Sequence, residues 1–472
     1  MDRTKPQKTD VITLSPLTAI SPLDGRYRNM VEDLAPFVSE MALIRTRIEV
    51  EARYLVALSD CGLIRQLRAQ ERESLLKLGP ELTLPQAERV KEIEETTRHD
   101  VKAMERAFRE FVAGTSLENI TEMIHFGLTS EDVNNLSHRL MLKRAMTMIC
   151  IPAMDDVVDN LAGKAKSYKS IPMLARTHGQ AAVPTTVGKE LANMAIRLSR
   201  EIRGLEHVVL TGKLNGAVGN FNALHFAAPE VDWLYFSEKF VRSLDLKPNL
   251  ITTQINAYED MIKVFQAIQR VNNVLLDINQ DMWRYISDDW FVQAVKKGEI
   301  GSSTMPQKVN PINFENSEGN VQLANSLLEG MSRKLAVSRL QRDLSDSTTI
   351  RNVGTALGYS LLAYRNTVEG LERVSPNMPV IQERLNANWN ILTEGVQTLL
   401  RRAGIADPYS MVAELSKGKK IGQNEWKEWV SSLDISDDLK TKLEGLTPTS
   451  YIGYAERLTD LALEGIAALG RK

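Results

Sequence analysis

Ser302 and Ser303 stand six and five residues before Lys308 in the run Gly301-Ser302-Ser303-Thr304-Met305-Pro306-Gln307-Lys308-Val309-Asn310-Pro311. Gly298 and Gly301 lie at its start, and Pro306 and Pro311 bar a helix from passing through it. A polar loop of this make-up serves a ligand more readily than a core. A lone Gly-Ser-Ser reads as an ordinary surface turn; two hydroxyls placed this way before a lysine and an asparagine read as a site.

Other clusters of reactive side chains are dispersed along the chain. They are Ser21 to Tyr27 with Asp24-Gly25-Arg26-Tyr27, Thr96 to Lys102 with Arg98-His99-Asp100, and Arg176-Thr177-His178-Gly179-Gln180. Further on come Asn313 to Asn320, with Glu315 and Asn316, and Gln341 to Asn352, with Arg342, Ser347 and Arg351. Histidines beside carboxylates suit proton transfer, and guanidinium forks suit phosphate oxygens. His125, His138, His207 and His225 read as structural, and Glu49, Glu51 and Arg53 as an exposed helix face.

Helices must carry these clusters. Val187, Leu191, Met194, Leu198, Ile202, Leu205 and Val209 step by three or four, and so do Ile262, Phe265, Ile268, Val271, Leu275, Ile278, Met282 and Tyr285. Neither stretch holds a proline, so long rods of a bundle are predicted. Thr129-Ser130-Glu131-Asp132 reads as a helix entry, Pro184-Thr185-Thr186 as the lead into the helix from Val187, and Asn316-Ser317-Glu318 as the lead into one carrying Val321, Leu327, Leu328, Met331 and Leu335. Strand signals are scarce; Asp24-Gly25 and Asn215-Gly216 mark local turns. The chain reads as all-α.

Composition excludes several classes. The chain has 472 residues, room for two or three domains, and 58 Lys and Arg against 60 Asp and Glu leave a net charge of −2. That balance gives no electrostatic footprint for nucleic acid or an anionic membrane. Two cysteines, Cys61 and Cys150, form neither a disulfide framework nor a metal motif, which fits a reduced cytoplasmic setting. No run is long and apolar enough for a membrane span, and residues 1–12 read as a disordered tail. Zinc-protease, Walker and Rossmann signatures are absent, so no metal or organic cofactor is expected.

Together the motifs resemble the adenylosuccinate lyase family of the aspartase/fumarase superfamily, in its bacterial and plant form. The serine loop points to the superfamily. Asp24-Gly25-Arg26-Tyr27, His99-Asp100-Val101-Lys102-Ala103, Thr129-Ser130-Glu131-Asp132, Asn215-Gly216-Ala217-Val218-Gly219-Asn220 and Gln341-Arg342-Asp343 are similar to this family in particular. The resemblance implies a three-domain aspartase/fumarase-like fold, with an N-terminal helical domain over 1–128, a long central bundle over 129–374 and a C-terminal helical domain over 375–472. It implies a carbon–nitrogen lyase of the amidine-lyase type. Such an enzyme releases fumarate from adenylosuccinate, giving AMP, and from the succinyl-aminoimidazole-carboxamide ribotide.

By position, the resemblance implies Ser302 as general base and His178 as general acid. Serine is a poor base unless backbone N–H groups and Lys308 stabilise its alkoxide. Lys308 and Asn310, with Ser303, Thr129 and Ser130, would hold the succinyl carboxylates. Arg26, Tyr27, Arg342, Ser347 and Arg351 would grip phosphate and ribose. His99 and Asp100, beside Arg98, would lie near the leaving group or phosphate. Gln254 would touch substrate, Asn316 would lie at the site, and Glu315 would orient His178 or Lys308. A homotetramer with composite active sites is implied.

The chain departs from the family pattern at Gln307, at Arg98, in the run Gln254-Ile255-Asn256-Ala257-Tyr258-Glu259-Asp260 and at Leu224. Two alternatives remain open: a divergent fumarate-releasing lyase acting on another succinyl adduct, and a non-catalytic helical scaffold.

Overall fold

The computed structural model describes residues 15–295, 298, 304–416 and 421–470. The expected tail over 1–12 and the loop hydroxyls Ser302 and Ser303 lie outside the described residues. The chain is all-α in architecture, with three two-stranded ladders among the described residues.

The predicted stripes are the buried faces of long helices. In helix Glu259–Ser287 every stripe residue from Ile262 to Met282 is buried. In helix Val187–Glu206 the buried stripe runs from Val187 to Leu205. Each fully buried side chain of this kind contributes about 2 kcal/mol. Val209, expected to extend that stripe, lies past the helix end and is exposed. Asn316, expected to lead into a helix, lies inside helix Ile312–Leu335. The entry is earlier because Pro311 ends the loop and its carbonyl accepts the N–H groups of Phe314 and Glu315 at 3.1 and 3.3 Å.

The fold divides into two compact units. The first comprises Met1–Ala153, Gly204–Asn272 and Asn320–Leu362. Its core includes the aromatic group Tyr54, Trp233, Phe236 and Phe240. Helix Glu40–Asp60 starts at Ser39, whose hydroxyl caps the Ala42 N–H. Glu49 and Glu51 on this helix are buried, contrary to the exposed face expected from sequence. Arg144 holds Glu49 through two 2.8 Å hydrogen bonds, and Glu51 lies 2.5 Å from His125 Nδ1 and accepts its backbone N–H at 3.1 Å. Glu49 has one local partner, Arg53 at 3.2 Å, but the Arg144 and His125 partners lie more than seventy positions away, where no local pattern reveals them.

The second unit comprises Met154–Arg203, Asn273–Gly319 and Ala363–Lys472. It contains the antiparallel hairpin Pro172–Thr177 with Gln180–Thr186, and the antiparallel pair Phe291–Gln293 with Val374–Pro376. Trp389, Trp426 and Trp429 pack together near its C-terminal end. Asn279, Ser317 and Thr367 form a buried hydrogen-bond triad between its helices.

Candidate active site

In the first unit, Thr129 precedes helix Ser130–Ala145, and its N–H donates to Asp132 Oδ2 at 2.9 Å. This confirms the helix entry read from the four-residue motif. Asp132 is fully buried, accepts the N–H groups of Asn215 and Gly216, and pairs with buried Lys213 at 3.1 Å. One carboxylate thus fixes both the helix entry and the Asn215–Asn220 loop. That loop needs glycine at 219: φ is +85°, and a Cβ there would stand 2.2 Å from the Thr252 carbonyl oxygen.

The same loop anchors the expected substrate-contact group. Gln254 Nε2 donates to the Ala217 carbonyl at 3.0 Å, and its Oε1 accepts Arg342 Nη1 at 3.3 Å. Arg342 also stands 3.5 Å from Glu131 and 3.7 Å from Asp346. Ser347 follows at the start of the short helix Ser345–Ile350. Glu131, Gln254, Arg342 and Asp346 are therefore gathered by elements that are distant in sequence, and Ser130 and Ser347 are the chain neighbours of Glu131 and Asp346.

Arg351 belongs to a second cluster. Its guanidinium donates to Glu40 Oε2 at 2.8 Å and Asp100 Oδ2 at 3.0 Å. Asp100 Oδ2 also accepts Arg47 Nη2 at 2.7 Å, while Oδ1 accepts the Val101 N–H. Burial alone would raise the Asp100 pKa; Arg47 and Arg351 more than offset that and hold it at about 2. Arg47 itself is 2% exposed and is anchored to Asn134. Sequence reading missed it; the available signal was a cation inside the apolar run of helix Glu40–Asp60.

His99 caps helix Asp100–Val112, its Nδ1 accepting the Lys102 N–H at 3.2 Å. The neutral ring therefore carries its proton on Nε2, on an exposed side chain. Arg98 ends helix Leu84–Thr97 in the left-handed region, φ +52°. Arg26 is exposed, with its guanidinium 5.8 Å from the Tyr27 ring. A cavity of about 110 Å³ is lined by Glu40, His138 and Arg351 among others. Burial, then Arg47 and Arg351, pushes His138 down to about 3, so it lines that cavity as a neutral ring.

In the second unit, His178 and Gly179 are the two turn residues of the hairpin, with φ of +53° and +73°. Two positive φ values in a two-residue loop are the signature of a tight turn that matches strand twist. The turn presents the imidazole to solvent, and Arg176 braces it by donating to the Gly179 carbonyl at 3.0 Å and lying 5.6 Å from the Trp290 ring centre. Lys308 is exposed, and its N–H donates to the Met305 carbonyl at 3.1 Å. Asn310 lies in the same loop, and the adjoining Val309 carbonyl is tied down by Gln293. Glu315 accepts Trp283 Nε1 at 3.1 Å, and among the described residues it makes no hydrogen bond to His178 or Lys308. Asn316 is one residue further along the same helix.

Comparisons with known proteins bear on what this geometry serves. The family profile described as Lyase matches residues 25–323, and that described as Adenylosuccinate lyase C-terminal matches 338–452. The chain is 45% identical over 451 residues to the adenylosuccinate lyase of Haemophilus influenzae, covering 95% of this chain and 99% of the relative. It is 44% identical over 459 residues to that of Dictyostelium discoideum, covering 94% and 98%. The chain belongs to the adenylosuccinate lyase family. It is an enzyme, a carbon–nitrogen lyase. Its fold is also that of the fumarate lyase from Mesorhizobium sp. BNC1, with a TM-score of 0.75, 16% identity and coverage of 92% of this chain and 98% of that one. The 3-carboxy-cis,cis-muconate lactonizing enzyme from Pseudomonas putida gives a TM-score of 0.73 at 17% identity, covering 93% and 97%. No helix among the described residues of this family member is long and apolar enough to cross a membrane.

Proposed function

We propose that this chain cleaves adenylosuccinate to AMP and fumarate, and the succinyl-aminoimidazole-carboxamide ribotide to its carboxamide ribotide and fumarate. The observation that carries this reading is identity of 45% to an adenylosuccinate lyase along nearly the whole length of both chains. The arginines at 26, 342 and 351 favour a phosphate-bearing substrate over a simple dicarboxylate.

In this reading Ser302 removes a proton from the succinyl carbon beside a carboxylate. The electron pair forms the C=C bond of fumarate, the C–N bond breaks, and the departing nitrogen takes a proton from His178. Lys308 and Asn310 stabilise the charge that builds on the carboxylate oxygens. His99, with its proton on Nε2, donates to the phosphate or leaving group. The three-part domain organisation, a homotetramer with composite sites and a cytoplasmic setting belong to the same proposal. The short turn carrying His178 supports it, because a tight, braced loop holds an acid in a fixed direction.

Incubating the purified protein with each succinyl nucleotide tests the reading. Equimolar fumarate and the matching nucleotide are expected. Absence of both products, where a control lyase is active, overturns it.

A further inference from the structure

Glu131 occupies the second position of helix Ser130–Ala145 and is 2% exposed. Among the described residues its carboxylate makes no hydrogen bond, and the closest cation is Arg342 Nη2, 3.5 Å from Oε2. A buried carboxylate with so little support is costly to keep charged.

The surrounding charges are already committed. Arg139, on the same helix, is held by Asp260 at 2.8 Å, and Lys213, following strand Thr211–Gly212, by Asp132 at 3.1 Å. Asp346 faces Arg342 from 3.7 Å and accepts the hydroxyl of Tyr258, which also faces Glu131, at 3.1 Å. Two carboxylates, Glu131 and Asp346, thus share one guanidinium. Among the described residues that guanidinium is loosely held: its shortest hydrogen bond is 3.3 Å, and its Nε is buried without a partner. Bringing a phosphate dianion to Arg342 would place three anionic groups around one cation. A proton is the simplest charge that restores balance.

We propose that Glu131 is a positioning residue that takes up a proton from solvent when a phosphate-bearing ligand binds at Arg342. The change is Glu131 carboxylate plus one proton giving the neutral acid, reversed when the ligand leaves; no ligand bond is made or broken. Burial, and then Asp346, already push the Glu131 pKa up to about 7 against the pull of Arg342, so a nearby dianion needs to move it only modestly. Affinity for the nucleotide falls as pH rises above that value. The inference rests on Arg342 being an anion grip, as proposed above.

Calorimetric titration of AMP into the full-length enzyme at pH 8, in buffers of different ionisation enthalpy, tests it. At that pH the ligand phosphate is already a dianion and contributes no proton. The wild type is expected to take up at least roughly half a proton more than Glu131→Gln, and the variant to bind AMP up to roughly tenfold tighter. Equal proton counts overturn the proposal while leaving the nucleotide reading intact. Failure of AMP to bind folded wild type overturns the anion-grip reading and the proposal with it. Should Glu131→Gln not fold, infrared difference spectra of the wild type decide. AMP must bring up the C=O band of a protonated carboxylic acid, and its absence overturns the proposal.

Discussion

Arg351 reaches back 251 positions to close on Asp100 Oδ2 at 3.0 Å. The same oxygen accepts Arg47 from the buried side, at 2.7 Å. Asp100 thereby ties a buried cation, Arg47, to a more exposed one, Arg351. Under the proposed function, Asp100 aims Arg351 at the substrate.

Cutting the tie from behind should loosen the grip without touching the chemistry. Arg47→Met leaves Asp100 with one partner fewer and should cost about 3 kcal/mol of stability, read from urea midpoints. The KM for adenylosuccinate should rise roughly tenfold, with a smaller change in kcat. Arg47→Lys should restore part of both. An unchanged KM in a folded Arg47→Met protein would remove Arg47 from substrate positioning.

The hairpin turn separates folding from proton transfer at His178. Asparagine tolerates positive φ, so His178→Asn should keep the turn and the melting temperature. Turnover should fall by roughly 100-fold or more, since the departing nitrogen loses its acid. A near-normal rate would place the acid elsewhere.

The pair of half-buried His125 and buried Glu51 predicts a pH dependence of stability. Burial would lower the His125 pKa, but the Glu51 hydrogen bond and charge more than offset this and raise it above the usual 6.5. Its stabilisation is therefore fully present below pH 6.5 and is lost as pH rises through the raised value. The urea midpoint of the wild type should exceed that of Glu51→Gln most at pH 6, and the gap should narrow toward pH 9. A gap that widens with pH would contradict the assignment.

Asp100 predicts the opposite slope at the acid end. Its pKa of about 2 lies below the ordinary 3.8, so its contribution persists above pH 4 and is lost as pH falls through 2. Asp100→Asn should accordingly lose its stability deficit relative to wild type in strong acid. A deficit unchanged from pH 5 to pH 2 would show that the carboxylate charge is irrelevant.

How much the sequence revealed follows from which interactions are local. The stripe from Ile262 to Met282 was legible because helical periodicity and burial coincide there. The Thr129 entry was legible because a capping motif spans four residues. The His178 hairpin was not, since His-Gly lacks the usual Asn-Gly signal although histidine also tolerates positive φ. Glu51 and Arg47 were misread or missed because their burial depends on His125 and Asp100, each more than fifty positions away. Glu131 looked like one more acid favouring a helix start; only the fold surrounds it with carboxylates and a single shared arginine.

The central claim is that the Ser302 hydroxyl initiates loss of fumarate. Fumarate release from adenylosuccinate, followed for wild type and Ser302→Ala at saturating substrate, tests it most directly. The account predicts a fall of roughly 100-fold or more in kcat, with nucleotide binding retained. A Ser302→Ala enzyme that releases fumarate at near the wild-type rate would contradict it.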